Sequence, residues 1–410
     1  FNSGSILNYS GAEVSVGNVL TLGGSGQLQN TNALNLSGEN GKLKLSSITV
    51  AKVSTSENSS GLVVNETSAI TSLQVGNNTP VAIASGMSLS GGITVTAGSL
   101  KLTEQGTLAS AISMSGGTLA AEKSLTVSGA LTQSGNITID VADTKTLTFS
   151  TGEIETQAYQ LTLAGAGTIA FPANASGIVV NDAAGLLKLE GTGTLGAAQV
   201  TTASDAGKGL AVNTSSTISS LKVAANTELN VVNGETFSGS TEIAADKTLK
   251  LSGTGTFGST IDLEGTLEAG ANLTVSGLIS VAGNSAAVSI PTAGTTLTYS
   301  GGALNVGAHT LAIGGAGTFS NAAGSPLVLD VADSILDLTG SGTVSGPVKL
   351  ENGTLSVSSG TPTISGALTQ SADVTIDVTT GQTLTYSGAS LSLGANTLTL
   401  SGGGTLSNTN

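Results

Sequence analysis

One phrase is written four times in this chain, and that repetition limits the fold more than any other feature. Residues 7–28 read LNYSGAEVSVGNVLTLGGSGQL, and close variants occupy 147–169, 297–319 and 384–406. In the last three copies Leu147, Leu297 and Leu384 align without a gap, as do Phe149, Tyr299 and Tyr386, at offsets of 150 and 87 residues. A larger duplication surrounds the phrase: 61–169 resembles 209–319, with GLVVNETSAITSLQV from Gly61 matching GLAVNTSSTISSLKV from Gly209. SGALTQSGNITIDV from Ser128 returns as SGALTQSADVTIDV from Ser365. Such density of internal repeats marks a solenoid or array, in which one unit cannot bury its apolar face alone and stacks on its neighbours.

The local pattern identifies the unit. TLTYS, SLSLG, TLTLS and ITIDV alternate apolar and polar residues, the period of a half-buried strand. Leu384 and Tyr386 are expected to face inward and Thr383 and Thr385 outward; likewise Leu161 inward and Thr162 outward. SG, GA, GG and NG pairs between the strands supply tight corners. Strand starts near 383, 390, 397 and 405 lie about seven residues apart, enough for one short strand and one corner. No long segment carries helical periodicity.

Composition then chooses between two all-β architectures. The chain has 58 Gly, no Cys or Trp, and 2% aromatic residues, yet 39% of it is apolar. A β-sandwich fills a wide core, usually with aromatics, whereas a β-solenoid has a thin, repetitive aliphatic core and pairs each strand in parallel with its equivalent one coil later. The expected fold is all-β: one continuous parallel β-solenoid over residues 1–410. Three short strands per coil and about 21–23 residues per circuit give roughly 18–19 coils and a rod on the order of 90 Å. A string of sandwiches is the alternative.

All 12 cationic side chains are Lys, against 26 Asp plus Glu, for a formal charge of −14. No basic cluster exists to neutralise phosphates, so neither nucleic acid nor an anionic membrane surface is an expected partner. Apolar runs are too short to insert in a bilayer as a helix. Absence of Cys excludes disulfides and thiolate metal sites. The chain opens on Phe1, from which removal of a targeting segment, or excision from something longer, is expected.

At TLTLSGGGTLSN, from Thr397, the sequence resembles bacterial β-helical surface proteins: autotransporter passenger regions and filamentous adhesins of the haemagglutinin kind. An L-x-Φ-x-G-x-G-x-Φ phrase carries the resemblance, together with a Gly/Ser/Thr/Asn-rich, Cys-free texture along the whole chain. The resemblance implies a secreted right-handed parallel β-helix used for adhesion, surface coating or assembly, and so an extracellular or cell-surface location. No barrel translocator lies within these residues, so export by the autotransporter route is not expected.

Candidate chemistry is sparse, and no enzyme, cofactor or metal site is expected. Polysaccharide-active β-helices need carboxylates clustered with cations or His. Asp140 and Asp377 share one outward slot, which duplication explains. His309 occupies a turn slot filled by Asn396 and Tyr159 in other copies. DVADT from Asp140 and DVADS from Asp330 lack the acidic, Gly-rich spacing of calcium loops. Thr-x-Thr pairs at Thr146/Thr148, Thr296/Thr298, Thr383/Thr385 and Thr397/Thr399 are expected to lie mostly many coils apart, unlike the continuous ladders of ice-binding faces. N-x-[ST] triplets at Asn65, Asn136, Asn213 and Asn272 suit a chain this rich in Ser and Thr.

The two ends are in phase. Asn410 corresponds to Asn32, Leu406 to Leu28 and Tyr386 to Tyr9, and neither terminus carries an amphipathic cap. Uncapped solenoid ends are open strand edges. Phe1, Leu7, Tyr9, Leu400, Leu406 and Asn410 are therefore the expected contacts of an end-to-end, head-to-tail homopolymer, unless the chain is one stretch of a longer solenoid. The expected function is that of a structural subunit or segment of a surface filament. The alternatives are an adhesin shaft that binds a host-surface or matrix glycan and, behind it, a polysaccharide-active enzyme.

Overall fold

The computed structural model describes residues 1–173, 175–391 and 395–409. Every regular element among them is a β-strand, and every described strand pair is parallel. No helix is long and apolar enough to cross a membrane. Contacts divide the chain into two compact units, Phe1–Val200 and Thr201–Asn410. Each unit is a parallel β-solenoid; together they hold about 19 coils with about three strands per coil.

In the first unit the period-two pattern becomes columns of stacked side chains. One inward column runs Leu20, Leu43, Leu62, Val81, Leu102, Ala121 and Val141, one residue per coil. Another runs Leu89, Leu108, Val127 and Phe149, and the Phe149 ring stacks on Phe171 at 5.5 Å. Small aliphatics suffice because each is covered above and below by its own equivalents, and burying each large one contributes roughly 1.5–3 kcal/mol.

The second unit repeats the device. Leu249, Leu267, Val288, Ile313, Leu338, Val357 and Val378 form one column. Leu311, Leu336, Leu355, Ile376 and Leu400 form its neighbour. A third, shorter sheet pairs Leu304–Asn305, Leu327–Leu329, Val348–Leu350 and Leu368–Gln370.

Two glycines let single strands turn a corner without breaking the ladder. Strand Ser88–Val95 shifts register at Gly91/Gly92, where Gly91 has φ 116° and a Cβ would sit 1.8 Å from the Ile70 carbonyl oxygen. Gly239, at the duplicated place in Thr236–Ile243, has φ 136° and the same clash with Ile218 at 2.0 Å. Only a residue without Cβ fits either position.

Outward direction and exposure part company at one residue. Thr162 is on the outer side of its strand but is only 5% exposed. It stands in the ladder between Thr138 and Lys188 and receives a 2.9 Å hydrogen bond from Gln160 Nε2. On a tightly stacked face the neighbouring side chains cover an outward Thr, so direction and exposure are separate properties.

Candidate functional sites: open coil faces and a hydroxyl face

The four copies of the repeated phrase allow a controlled reading of the coil faces. Leu147, Leu297 and Leu384 are buried, whereas Leu7, the same residue in the first copy, is 54% exposed. Its strand Ile6–Tyr9 pairs with Gln27–Asn30 on one side, and the column continues through buried Leu28, Val50 and Ile70. In the last copy Leu400 is 59% and Leu406 38% exposed, while Leu163, Ile313, Ile169 and Phe319 at the same places are buried. The side chains point inward in every copy; the outermost ones have a covering layer on one side only.

Phe1, also partly exposed, is tied to the first coil: its ammonium donates to Gly23 O at 2.9 Å and its backbone crosses directly over Gly24. Tyr9 is half-buried, with its hydroxyl donating to Ala12 O at 2.9 Å, and Tyr386 makes the corresponding bond to Ala389 O. Asn410 lies outside the described residues.

A second feature goes unseen in the sequence. Thr296, Thr318, Thr343, Thr363 and Thr385 stack in register on consecutive coils of one outer face. Two residues on, Thr298 pairs with Ser320, and the amides of Ser345, Ser365 and Ser387 continue the same coil-to-coil bonding. The result is a two-column array of hydroxyls, about 4.8 Å between coils and about 6.6 Å along the strand. The Thr-x-Thr signal alone misses it, because Ser replaces the second Thr in four of the five coils.

A third class of residue was also missed. Asn136 Oδ1 accepts from Gln160 N at 2.9 Å, Asn226 from Thr248 N at 2.9 Å, Asn272 from Thr296 N at 2.7 Å, and Asp373 from Thr397 N at 2.7 Å. Each acceptor directly precedes a strand and caps the amide at, or for Thr397 just before, the start of the equivalent strand one coil later. The legible signal was an Asn or Asp just before a strand, recurring in both units. Two of the four N-x-[ST] triplets named above, at Asn136 and Asn272, thus have a structural role at their Asn.

The isolated ionisable residues lie in ladders or in turns. Asp140 stacks between Ala120 and Ala164; Asp377 stacks between Ser356 and Ser401 and accepts from Ser401 Oγ at 2.7 Å. Asp330 Oδ1 caps a turn, accepting from Gly307 N at 2.8 Å and Ser334 Oγ at 3.3 Å. His309 is half-buried in a bend. A groove of about 580 Å³ in the first unit is lined by Gln133, Glu153, Glu155, Tyr159 and Asp182 among others. Among the described residues no three His, Cys, Asp or Glu are placed to hold a metal ion. Comparison with known proteins returns no matching family model, no matching curated protein and no matching solved structure.

Proposed function

We propose that this chain is a structural building block of an extracellular or cell-surface filament, extended by adding parallel coils to its open faces. The observation that supports this reading is the column Leu311, Leu336, Leu355, Ile376 and Leu400, buried throughout until its last member. A further coil of the same pattern completes that column, and a second copy of the chain carries one. Continuing that column by one rung places Leu398 and Leu400 against the next copy's Leu20 and Leu22. The contact is heterologous and does not close on itself, so it propagates as a fibre. Burying each exposed Leu adds roughly 1.5–3 kcal/mol per junction, and the strand edges add backbone hydrogen bonds.

The test is electron microscopy and light scattering of the purified 410-residue chain. Fibres that vanish in Leu7→Lys or Leu400→Lys variants support head-to-tail stacking. Monodisperse particles at high concentration sink it and leave the chain as a segment whose next coil comes from elsewhere in a longer polypeptide.

The two-column hydroxyl array favours a second reading, a shaft that binds a glycan along its side. Ser and Thr hydroxyls in register offer both donors and acceptors to a repeating sugar chain. Under that reading, monomers bind glycan and Thr343→Lys abolishes binding without altering assembly.

A further inference from the structure

The chain contains three Asn-Gly pairs, Asn40-Gly41, Asn233-Gly234 and Asn352-Gly353, and the fold treats them differently. Gly41 N donates to Gly38 O at 3.0 Å, and a Cβ there would lie 2.4 Å from Val16 O, so this backbone is bonded and tightly packed. Gly353 N donates to Asn352 Oδ1 at 3.0 Å, and a Cβ there would lie 2.3 Å from Ser334 O and 2.9 Å from Val331 O. Asn233 and Gly234 are both exposed, and nothing lies within 4 Å of where a Gly234 Cβ would be. They form the middle of a turn closed by Glu235 N donating to Val232 O at 3.1 Å, with Gly234 at φ 82°. Positive φ at the third residue is the type II arrangement, which turns the central peptide N–H outward to water.

The geometry points to Asn233 as a site of spontaneous covalent modification: deamidation through a cyclic imide. The Gly234 nitrogen gives up its proton and attacks Asn233 Cγ. A C–N bond forms, the Cγ–Nδ2 bond breaks, and ammonia leaves with the proton. Water then opens the five-membered ring at either carbonyl, yielding Asp or isoaspartate at 233. The reaction needs a nitrogen that is not already donating and a backbone free to pucker; of the three pairs only this one has both.

The product alters the coil. A new carboxylate stands two residues from Glu235, whose Oε2 accepts from Ser215 N and Oγ at 2.6 and 2.8 Å and so joins this corner to the previous coil. Isoaspartate also inserts an extra backbone atom into the turn that leads into Thr236–Ile243. Modification therefore loosens one corner of the second unit with age.

Peptide mapping by mass spectrometry after incubating the folded chain in mildly alkaline buffer tests this. Acid at position 233 should accumulate several-fold faster than at 40 or 352, with isoaspartate the larger share. In denaturant the three rates should converge, since the dipeptides are identical. Asn40 or Asn352 matching Asn233 in the folded chain, or the same ranking persisting in denaturant, overturns the proposal. Asn233→Gln should remove the fast phase and leave the other two rates unchanged.

Discussion

Leu163 and Leu400 occupy one position in two copies of one phrase; the first is buried and the second is 59% exposed. Leu7 and Leu297 form the same contrast at the other end of the phrase, 54% exposed against fully buried. Local sequence sets the direction of a side chain, because alternation along a strand decides which face it occupies. Burial is set by whether another coil lies on top. In a solenoid the core of each layer belongs partly to the next layer, so identical residues stabilise by different amounts at the middle and at the edge.

The largest expected effect separates these two positions. Leu336 is fully buried mid-column, so Leu336→Asp should cost about 4 kcal/mol or more, combining lost burial with an unpaired charge in an apolar stack. Leu400→Asp should shift the melting temperature of the dispersed chain little while abolishing the fibre growth proposed above. Equal melting losses from the two variants would break the comparison.

Corner glycines sharpen it. At Gly91 an added methyl meets the Ile70 carbonyl at 1.8 Å with φ 116°, so Gly91→Ala should cost about 3 kcal/mol through strain and a displaced ladder. Gly4, before the first strand, has φ 72° and open space around it. Gly4→Ala should therefore show only the left-handed penalty, roughly 1–2 kcal/mol. Denaturant midpoints of the pair measure how much of a corner's requirement comes from the neighbouring coil.

The all-β fold, the parallel stacking and the inward columns were legible because the alternation of Leu and Thr and the seven-residue corners leave few other arrangements. Less legible was everything that depends on what lies one coil away. Thr162 points outward as read, yet Gln160 and its ladder neighbours cover it. Asn136 looked like a chance N-x-T triplet, and its role appears only when Gln160 arrives beneath it 24 residues later. The hydroxyl array is invisible as a motif because coil lengths vary, so Thr318 to Thr343 spans 25 residues and Thr343 to Thr363 only 20. Lateral register is a property of the folded stack, and one strand read alone does not contain it.

The capping acceptors give a smaller contrast. Asn136 holds the start of Gln160–Gly165, itself covered by Leu186–Leu189, whereas Asp373 holds the start of the outermost strand, Leu398–Ser401. Asn136→Ala should cost about 1 kcal/mol of global stability, the usual worth of one such hydrogen bond. Asp373→Ala should instead accelerate amide exchange in the last coil with a smaller effect on global unfolding. A global loss from Asp373→Ala as large as that from Asn136→Ala would show that the end coils unfold together with the interior.

The smallest expected effect lies at Tyr299, an interior counterpart of Tyr9. Burial pushes its phenol above the ordinary value of 10.0, and the hydrogen bond it accepts from Ile279 N only partly opposes that shift. The neutral phenol is therefore favoured by folding, so its contribution is fully present below pH 10 and is lost as pH rises through the folded-state value. Wild type should thus lose stability in strongly alkaline solution by an increment that Tyr299→Phe does not show. Phe149 already occupies this position in another copy and is equally buried beside its own aromatic neighbour, so the substitution preserves packing. Parallel alkaline unfolding curves for wild type and Tyr299→Phe would mean that the interior ring ionises as freely as an exposed one, and that the stacked coils do not shield it from water.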